Sequence, residues 1–284
     1  MRLRINLKRF YYLLDNWGIG MKFVKSRENN TLKHIHKLVK QKKYREKSGQ
    51  FVAEGLRICQ DILLSDTKID IFLCSEKFYT KNIELSERLE CKSAESIVIP
   101  DSIFSVLSDT KTPQGVLLVL KTLDKKDYLD KIESGGKFIL LENVQNPENV
   151  STVLRTAEAF AIDGVFISKD SCDVYSPKVV RGSMGAIFRV PFYLIDSPAR
   201  FIKDTYNNYG RSFAACLTDE AKSVNDADFS GNCLVAIGNE ANGLTPAAVK
   251  SCNEQIIIPM KGKIDSLNAG VAASIILWEM SDNE

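Results

Sequence analysis

Histidine is nearly absent: the 284 residues hold only His34 and His36. On a helix that spacing points the two rings to different faces, which excludes a metal pair. No cluster of cysteine and histidine has zinc spacing, so no metal is expected, and any general base in the C-terminal half must be something other than histidine. Seven cysteines, at 59, 74, 91, 172, 216, 233 and 252, are scattered, odd in number and mostly set in apolar stretches. They read as reduced core residues of a cytoplasmic protein, not as a disulfide framework. No apolar run reaches the roughly 18 residues of a membrane span. Neither GxGxxG nor a phosphate loop of the GxxxxGKS type follows a strand, so dinucleotide and P-loop readings lose their best support.

What the chain has in excess is positive charge at one end. Residues 1–48 carry 14 Lys and Arg against 3 Asp and Glu, although the whole chain balances at +2. A basic arm on a mildly acidic body suits a polyanionic partner; a charge run alone is equally a solvated helix face. Lys40, Lys42, Lys43, Arg45 and Lys47 form its densest cluster, with Tyr44 placed to stack on a base. Leu32, Ile35, Leu38 and Val39 give the segment helical spacing. The first twenty residues are basic with an apolar centre interrupted by Arg9 and Asp15, too polar for a secretory signal. Residues 1–26 are read as a dispensable extension.

The rest alternates strand and helix. Strands are expected at 51–54, 70–75, 96–99 and 115–121, with helices at 56–65, 80–90 and 101–108 between them, making a small α/β domain over 27–121. The polar stretch 122–136, ending in Gly135-Gly136, is read as a linker. From 137 to 284, strands are expected at 138–143, 164–168, 190–195, 212–217, 233–237 and 255–259. Helices are expected at 147–161, 176–187, 197–209, 245–252 and 266–280. Runs such as FILL, CLVAI and QIIIP are continuously apolar, as in a parallel sheet covered on both faces.

Three segments share one grammar of strand, polar loop and helix: FILLENVQNPENVSTVLRTAEAFA, CLVAIGNEANGLTPAAV and IIIPMKGKIDSLNAGVAASIILWEM. Their loops fall at the carboxyl ends of strands, where parallel sheets bind ligands. Asn146 reads as an N-cap with Pro147 at the first helical position, and Thr245-Pro246 repeats the pattern. Ser266 reads as the cap of the last helix. Arg155 lies one turn beyond Ser151 and is expected near the helix N-terminus, where it suits a phosphate or, more plainly, a surface ion pair.

In this order the three segments resemble the motifs of the SpoU (TrmH) family of RNA ribose 2′-O-methyltransferases. The resemblance implies an S-adenosylmethionine-binding α/β domain with a C-terminal trefoil knot, of SPOUT type, and a small N-terminal α/β substrate-binding domain, which FVAEGLRI and LSDTKTPQGVLLVL resemble. It implies roles as well. Asn149 and Arg155 match the first motif, the Arg acting on the ribose hydroxyl and its phosphate. Glu240 organises the loops and the Arg at a dimer interface. Gly238, Asn239, Ile258, Met260, Leu267 and Asn268 surround the cofactor, with Ser266 and Asn268 at the reacting centre. The segment SPKVVRGSMGAIFRVPF also matches at Ser183, Gly185 and Ala186, with Lys178 and Arg181 as further phosphate contacts.

Two departures stand out: Ser151 where Gly is common, expected to crowd the pocket slightly, and Gly270 where a second Ser is frequent, expected to lose a polar contact. The expected protein is a homodimeric enzyme methylating ribosomal RNA of 23S type. The alternatives are a tRNA 2′-O-methyltransferase, a catalytically inactive RNA-binding protein of the same fold, or a different nucleotide-binding α/β enzyme.

Overall fold

The computed structural model describes residues 21–124, 127–264 and 266–282, which divide into two units at Thr122/Leu123, with Tyr175–Pro177 grouped with the first.

In the first unit, β1 (Lys22–Phe23), β2 (Gln50–Glu54), β3 (Ile69–Ser75), β4 (Ser93–Ile99) and β5 (Val116–Lys121) form a mixed sheet in the order β1-β4-β3-β5-β2. Helices α1 (Asn30–Lys40), α2 (Lys42–Ser48), α3 (Leu56–Leu63), α4 (Glu76–Lys81), α5 (Ile83–Lys92) and α6 (Asp101–Leu107) complete it. Asn29 caps α1 by accepting from the Thr31 and Leu32 amides. The spacing of Leu32, Ile35, Leu38 and Val39 does what its periodicity predicts: all four are buried against β2, β3 and β5 residues.

Two sequence expectations are corrected here. The extension does not reach residue 26, because Met21 is buried, Lys22–Phe23 pairs in parallel with β4, and the Val24 amide donates to the Val98 carbonyl. Residues 1–20 lie outside those described. A two-residue strand has no periodicity to read, which is why β1 escaped the sequence. Arg45, expected on the RNA-binding surface, is 5% exposed, and its guanidinium donates to the Leu38 carbonyl at 2.6 Å and the Val39 carbonyl at 3.3 Å. It satisfies carbonyls left open at the end of α1 instead of facing solvent.

The second unit is a seven-stranded sheet, parallel at every pairing, in the order β10-β12-β9-β11-β6-β7-β8. Its strands are β6 (Lys137–Leu141), β7 (Gly164–Ser168), β8 (Phe192–Ile195), β9 (Arg211–Ala215), β10 (Lys222–Ser223), β11 (Cys233–Ile237) and β12 (Glu254–Ile257). FILL and CLVAI are buried along their whole length, as a sheet covered on both faces requires. The stretch read as a linker is partly built into this unit: α7 (Leu129–Glu133) puts Ile132 in its core, beside Phe138, Phe201 and Tyr206.

The helices that carry function are α8 (Pro147–Ala159), α9 (Pro177–Gly182), α10 (Pro246–Ser251) and α11 (Ala269–Asp282). The helix expected to run to 187 stops at Gly182, because Met184 and Gly185 adopt positive φ of 53° and 90° and turn the chain. The helix expected at 197–209 breaks into short turns of α, π and 3-10 type. No helix among the described residues is long and apolar enough to cross a membrane.

Ser151, expected to crowd the pocket, instead faces α9. Its hydroxyl donates to the Glu148 carbonyl, and a Cβ built on Gly182 would lie 2.6 Å from that hydroxyl. Serine at 151 and glycine at 182 are therefore one packing solution. Gly182→Ala is expected to cost about 1–3 kcal/mol in urea unfolding through overpacking. In the Ser151→Gly background most of that cost should vanish, although Ser151→Gly alone loses up to about 1 kcal/mol of helix propensity. Additive effects of the two substitutions would sink the idea.

Candidate active site

Strand order reverses between β6 and β11, and ligand sites of parallel sheets open at such places, beyond the carboxyl ends. Three loops leave that end: 142–146 after β6, 238–245 after β11 and 258–268 after β12. The second and third, with the end of β9, enclose a cleft of 740 Å³. The first loop buttresses the second.

Each loop is held by its own residues. Asn146 accepts from the Glu148 amide and caps α8 with Pro147 in the first turn; Thr245 accepts from the Ala248 amide and caps α10 with Pro246. Gly238 passes so close to the far side of its loop that an added Cβ would lie 2.0 Å from the Gly243 carbonyl carbon and 2.1 Å from the Leu244 nitrogen. Only glycine allows that approach. Asn239 and Gly243 then exchange two backbone hydrogen bonds, and the Asn239 side chain accepts from the Ala241 and Asn242 amides while donating to the Asn143 carbonyl.

Glu240 joins the first two loops. One carboxylate oxygen accepts from the Asn146 amide at 2.9 Å and the Asn149 side-chain amide at 2.8 Å; the other accepts from the Gln145 amide at 3.1 Å. Burial pushes its pKa up, but the Asn146 and Gln145 amides and the Asn149 side chain outweigh that, and the net shift is downward. A depressed pKa means the contribution is present above the ordinary value of 4.5 and is lost as pH falls through the lower folded value. Cofactor affinity is therefore expected to be insensitive to Glu240 from neutrality down to that value and to weaken only in stronger acid. Glu240→Gln sets an amide donor against backbone donors and, on so exposed a side chain, should cost about 1 kcal/mol of affinity near neutral pH, a difference that closes in strong acid as the wild-type carboxylate takes up its proton. Titration calorimetry with the cofactor across pH reads both effects, and equal affinities for the two proteins would overturn the role.

Of the residues expected at the cofactor, Gly238, Asn239, Ile258, Met260 and Leu267 all line the cleft, as does Ser266, whereas Asn268 is not part of its lining. Ser266 does not cap the last helix. Asn268 does, its side-chain oxygen accepting from the Gly270 amide at 2.9 Å and the Val271 amide at 3.2 Å. Its side-chain nitrogen is left as the group that can still donate. Asn149 is buried between Glu240 and α11, where a Cβ on Gly270 would sit 3.2 Å from the side-chain oxygens of both Asn149 and Asn268. Gly270 thus permits a close approach of α11, and does more than lose a polar contact.

Arg155 is not brought to the cleft. It occupies the ninth position of α8, beyond the free N-terminal donors, and lines a second groove with Thr156, Ser274 and Trp278. The two faces of α11 explain the separation: Ala269, Ala272 and Ile276 line the cleft, whereas Val271, Ser274, Ile275 and Trp278 line the Arg155 groove.

Sequence reasoning missed Glu142. Only 6% exposed, it accepts from the Thr245 amide at 2.7 Å and the Thr245 hydroxyl at 2.9 Å, pinning the second loop to the end of β6. The signal was a carboxylate directly after the apolar run FILL.

The basic candidates divide. Lys40 pairs with Asp109 at 3.1 Å and Lys42 with Glu46 at 4.0 Å, while Lys43, Lys47 and Lys178 are exposed. Arg181 is half-buried, with one terminal guanidinium nitrogen lacking a partner. Tyr44, expected to stack on a base, is occupied: its hydroxyl meets His34 Nδ1 at 2.9 Å and Lys37 lies over its ring.

The cleft fits the S-adenosylmethionine that the resemblance implies. Its volume lies within the roughly 300–1,000 Å³ typical of ligand sites. Ile237, Leu244 and Ile256 give an apolar wall for a ring, and the loop from Gly238 to Leu244 lines the same cleft.

Comparison with known proteins agrees. Residues 136–278 match the family model of the SpoU rRNA methylases, and residues 29–118 match an MRM3-like substrate-binding domain. A 23S rRNA (uridine-2′-O)-methyltransferase of Streptomyces viridochromogenes is 30% identical over 83% of this chain and 83% of its own. The Bacillus subtilis 23S rRNA (guanosine-2′-O)-methyltransferase RlmP is 25% identical over 92% of this chain and 99% of its own. The AdoMet-bound rRNA methyltransferase structure from Sinorhizobium meliloti superposes with a TM-score of 0.82 at 25% identity, covering 93% of this chain and 98% of that one. With half of its length matched by the family model and the motif loops gathered on one cleft, this chain belongs to the SpoU rRNA methylase family.

Proposed function

We propose that the protein transfers a methyl group from S-adenosylmethionine to a ribose 2′-hydroxyl of large-subunit ribosomal RNA, acting as a homodimer with a knotted C-terminal domain. The observation that carries this reading is the convergence of the second and third motif loops on one 740 Å³ cleft, with the first motif tied to it through Glu240 and Asn149. When bound, S-adenosylmethionine supplies a sulfonium methyl already activated for displacement. The chain's task is then proximity, alignment and help in deprotonating a weakly acidic hydroxyl. Gly238, Ile258, Met260 and Leu267 hold the cofactor; Ser266 and the open side-chain nitrogen of Asn268 orient the reacting end. Arg155, which lies outside the cleft of its own protomer, acts across the dimer at the cleft of the second copy, where it orients the adjacent phosphate and polarises the hydroxyl, whose proton would leave to water as the methyl passes from sulfur to oxygen. Arginine keeps its own proton in this role.

The homodimer is supported by the groove that holds Arg155. Val271 and Trp278 are 46% and 50% exposed on the α11 face turned away from the cofactor cleft, an apolar surface suited to a second copy of the chain. A large-subunit rRNA substrate is supported by the activities of the Streptomyces and Bacillus relatives.

The test is transfer of labelled methyl from S-adenosylmethionine into ribosomal and transfer RNA from a strain lacking the protein, followed by nuclease mapping. A single labelled 2′-O-methyl nucleotide in large-subunit rRNA is the expected result. Label only in tRNA would move the substrate, and none in either RNA despite cofactor binding would leave an inactive binding protein.

A further inference from the structure

The basic arm supplies fewer RNA contacts than its charge suggests, because Arg45 is buried, Lys40 holds Asp109 and Tyr44 is engaged with His34. Yet the unit that contains it matches a substrate-binding domain. Asp109 belongs to the loop 108–115, so its ion pair fastens the arm to one side of that loop. The same loop closes a cleft of 370 Å³ against α4, α6 and the carboxyl end of β3, in which Asp101 is the one carboxylate against the two cations Lys77 and Lys81.

This cleft is built. Glu54, 7% exposed, accepts from the Ser108 hydroxyl at 2.6 Å and the Thr110 hydroxyl at 3.3 Å, which fixes the start of the loop. At its end Gly115, with φ of 85°, packs so tightly that a Cβ would lie 2.7 Å from the Ser75 hydroxyl. Gln114 accepts from the Leu56 amide at 2.6 Å through its side-chain oxygen, leaving its side-chain nitrogen as an open donor. Across the cleft Asn82 donates through its side-chain nitrogen to the Phe78 carbonyl at 3.0 Å, leaving its oxygen as an open acceptor. Lys77 and Lys81, one helical turn apart on α4, line the same cleft and are exposed.

We propose that this cleft of the first unit is a nucleotide subsite, in which an unpaired nucleotide of the substrate RNA presents its base edge to Gln114 and Asn82 and its flanking phosphates to Lys77 and Lys81. The volume is near the lower end for ligand sites and suits one nucleotide, not a duplex. A facing donor and acceptor match the mixed hydrogen-bonding edge of a base, and sequence-specific RNA recognition reads such edges on splayed, single-stranded nucleotides. The cations add the salt-dependent part of binding. The inference rests on RNA being the substrate and adds the place where it is read.

RNA affinity is measured against salt for the full chain, alongside methyl-transfer kinetics. The double substitution Lys77→Ala, Lys81→Ala is expected to weaken RNA binding about tenfold and to flatten the salt slope by about 1.5. It should raise KM for RNA with kcat and S-adenosylmethionine affinity unchanged. Gln114→Glu keeps the acceptor for Leu56 but removes the donor, and should raise KM for RNA alone. Lys68→Ala, at the opposite end of β3, should lose at most the nonspecific share of one phosphate contact. Wild-type affinity and slope in the double variant would overturn the subsite. If wild type binds RNA but transfers no methyl, the proposed function fails while the binding data still decide the subsite.

Discussion

Alanine at position 238 is expected to abolish S-adenosylmethionine binding while leaving a folded protein. The new Cβ would lie 2.0 Å from the Gly243 carbonyl carbon, a backbone atom that cannot rotate away. The loop must open, breaking the paired hydrogen bonds between Asn239 and Gly243 and moving the cleft wall from Gly238 to Leu244. Overpacking of this kind typically costs about 1–3 kcal/mol of stability, tolerable because β11 itself is buried and paired on both sides. The ligand loses more, since every contact from that wall shifts together. An affinity loss of at least about 100-fold, or about 2.8 kcal/mol, is expected by titration calorimetry. Circular dichroism should show the α/β content retained. An unchanged dissociation constant would mean that the loop does not form the cofactor wall.

Removal of Arg155 should do the opposite: transfer collapses while the cofactor binds normally. Its groove is separate from the cofactor cleft, so Arg155→Ala is expected to leave S-adenosylmethionine affinity within about twofold of wild type. If the guanidinium orients the phosphate and polarises the hydroxyl, its loss should lower kcat by about 10²–10³, the usual effect of deleting one preorganised charge-stabilising donor. Lysine should recover only part of this, because a point charge cannot reproduce a planar bidentate contact. Single-turnover methyl transfer at saturating RNA separates chemistry from binding. Unchanged turnover with RNA still bound would remove Arg155 from the reaction. The split between these two variants, one losing the cofactor and the other the chemistry, follows from α11 presenting one face to each cavity.

The Glu240 pH profile and the Ser151–Gly182 cycle probe the frame around these residues. Ser151, expected to crowd the pocket, fits against Gly182 instead. Gly270 is likewise a place of close approach between α11 and Asn149.

Sequence alone determined the features that are local or repeated along the chain. The apolar runs FILL and CLVAI announced buried parallel strands, because a strand covered on both faces has no polar side to show. Asn146-Pro147 and Thr245-Pro246 announced the starts of α8 and α10, because capping is settled within a few residues. The motif order was enough to indicate the family, and most of the residues expected at the cofactor line one cleft. Tertiary structure alone decided direction. Arg45 and Lys43 are equally charged in sequence, but only the fold turns one inward to the open carbonyls of α1. Asn268 displaced Ser266 as the cap because the last helix begins three residues later than its apolar pattern suggested. Glu142 gained its role from Thr245, 103 residues away. Arg155 and the cleft of the motif loops came to lie on different faces of one helix, since which side of α11 faces which cavity depends on contacts distant in the chain.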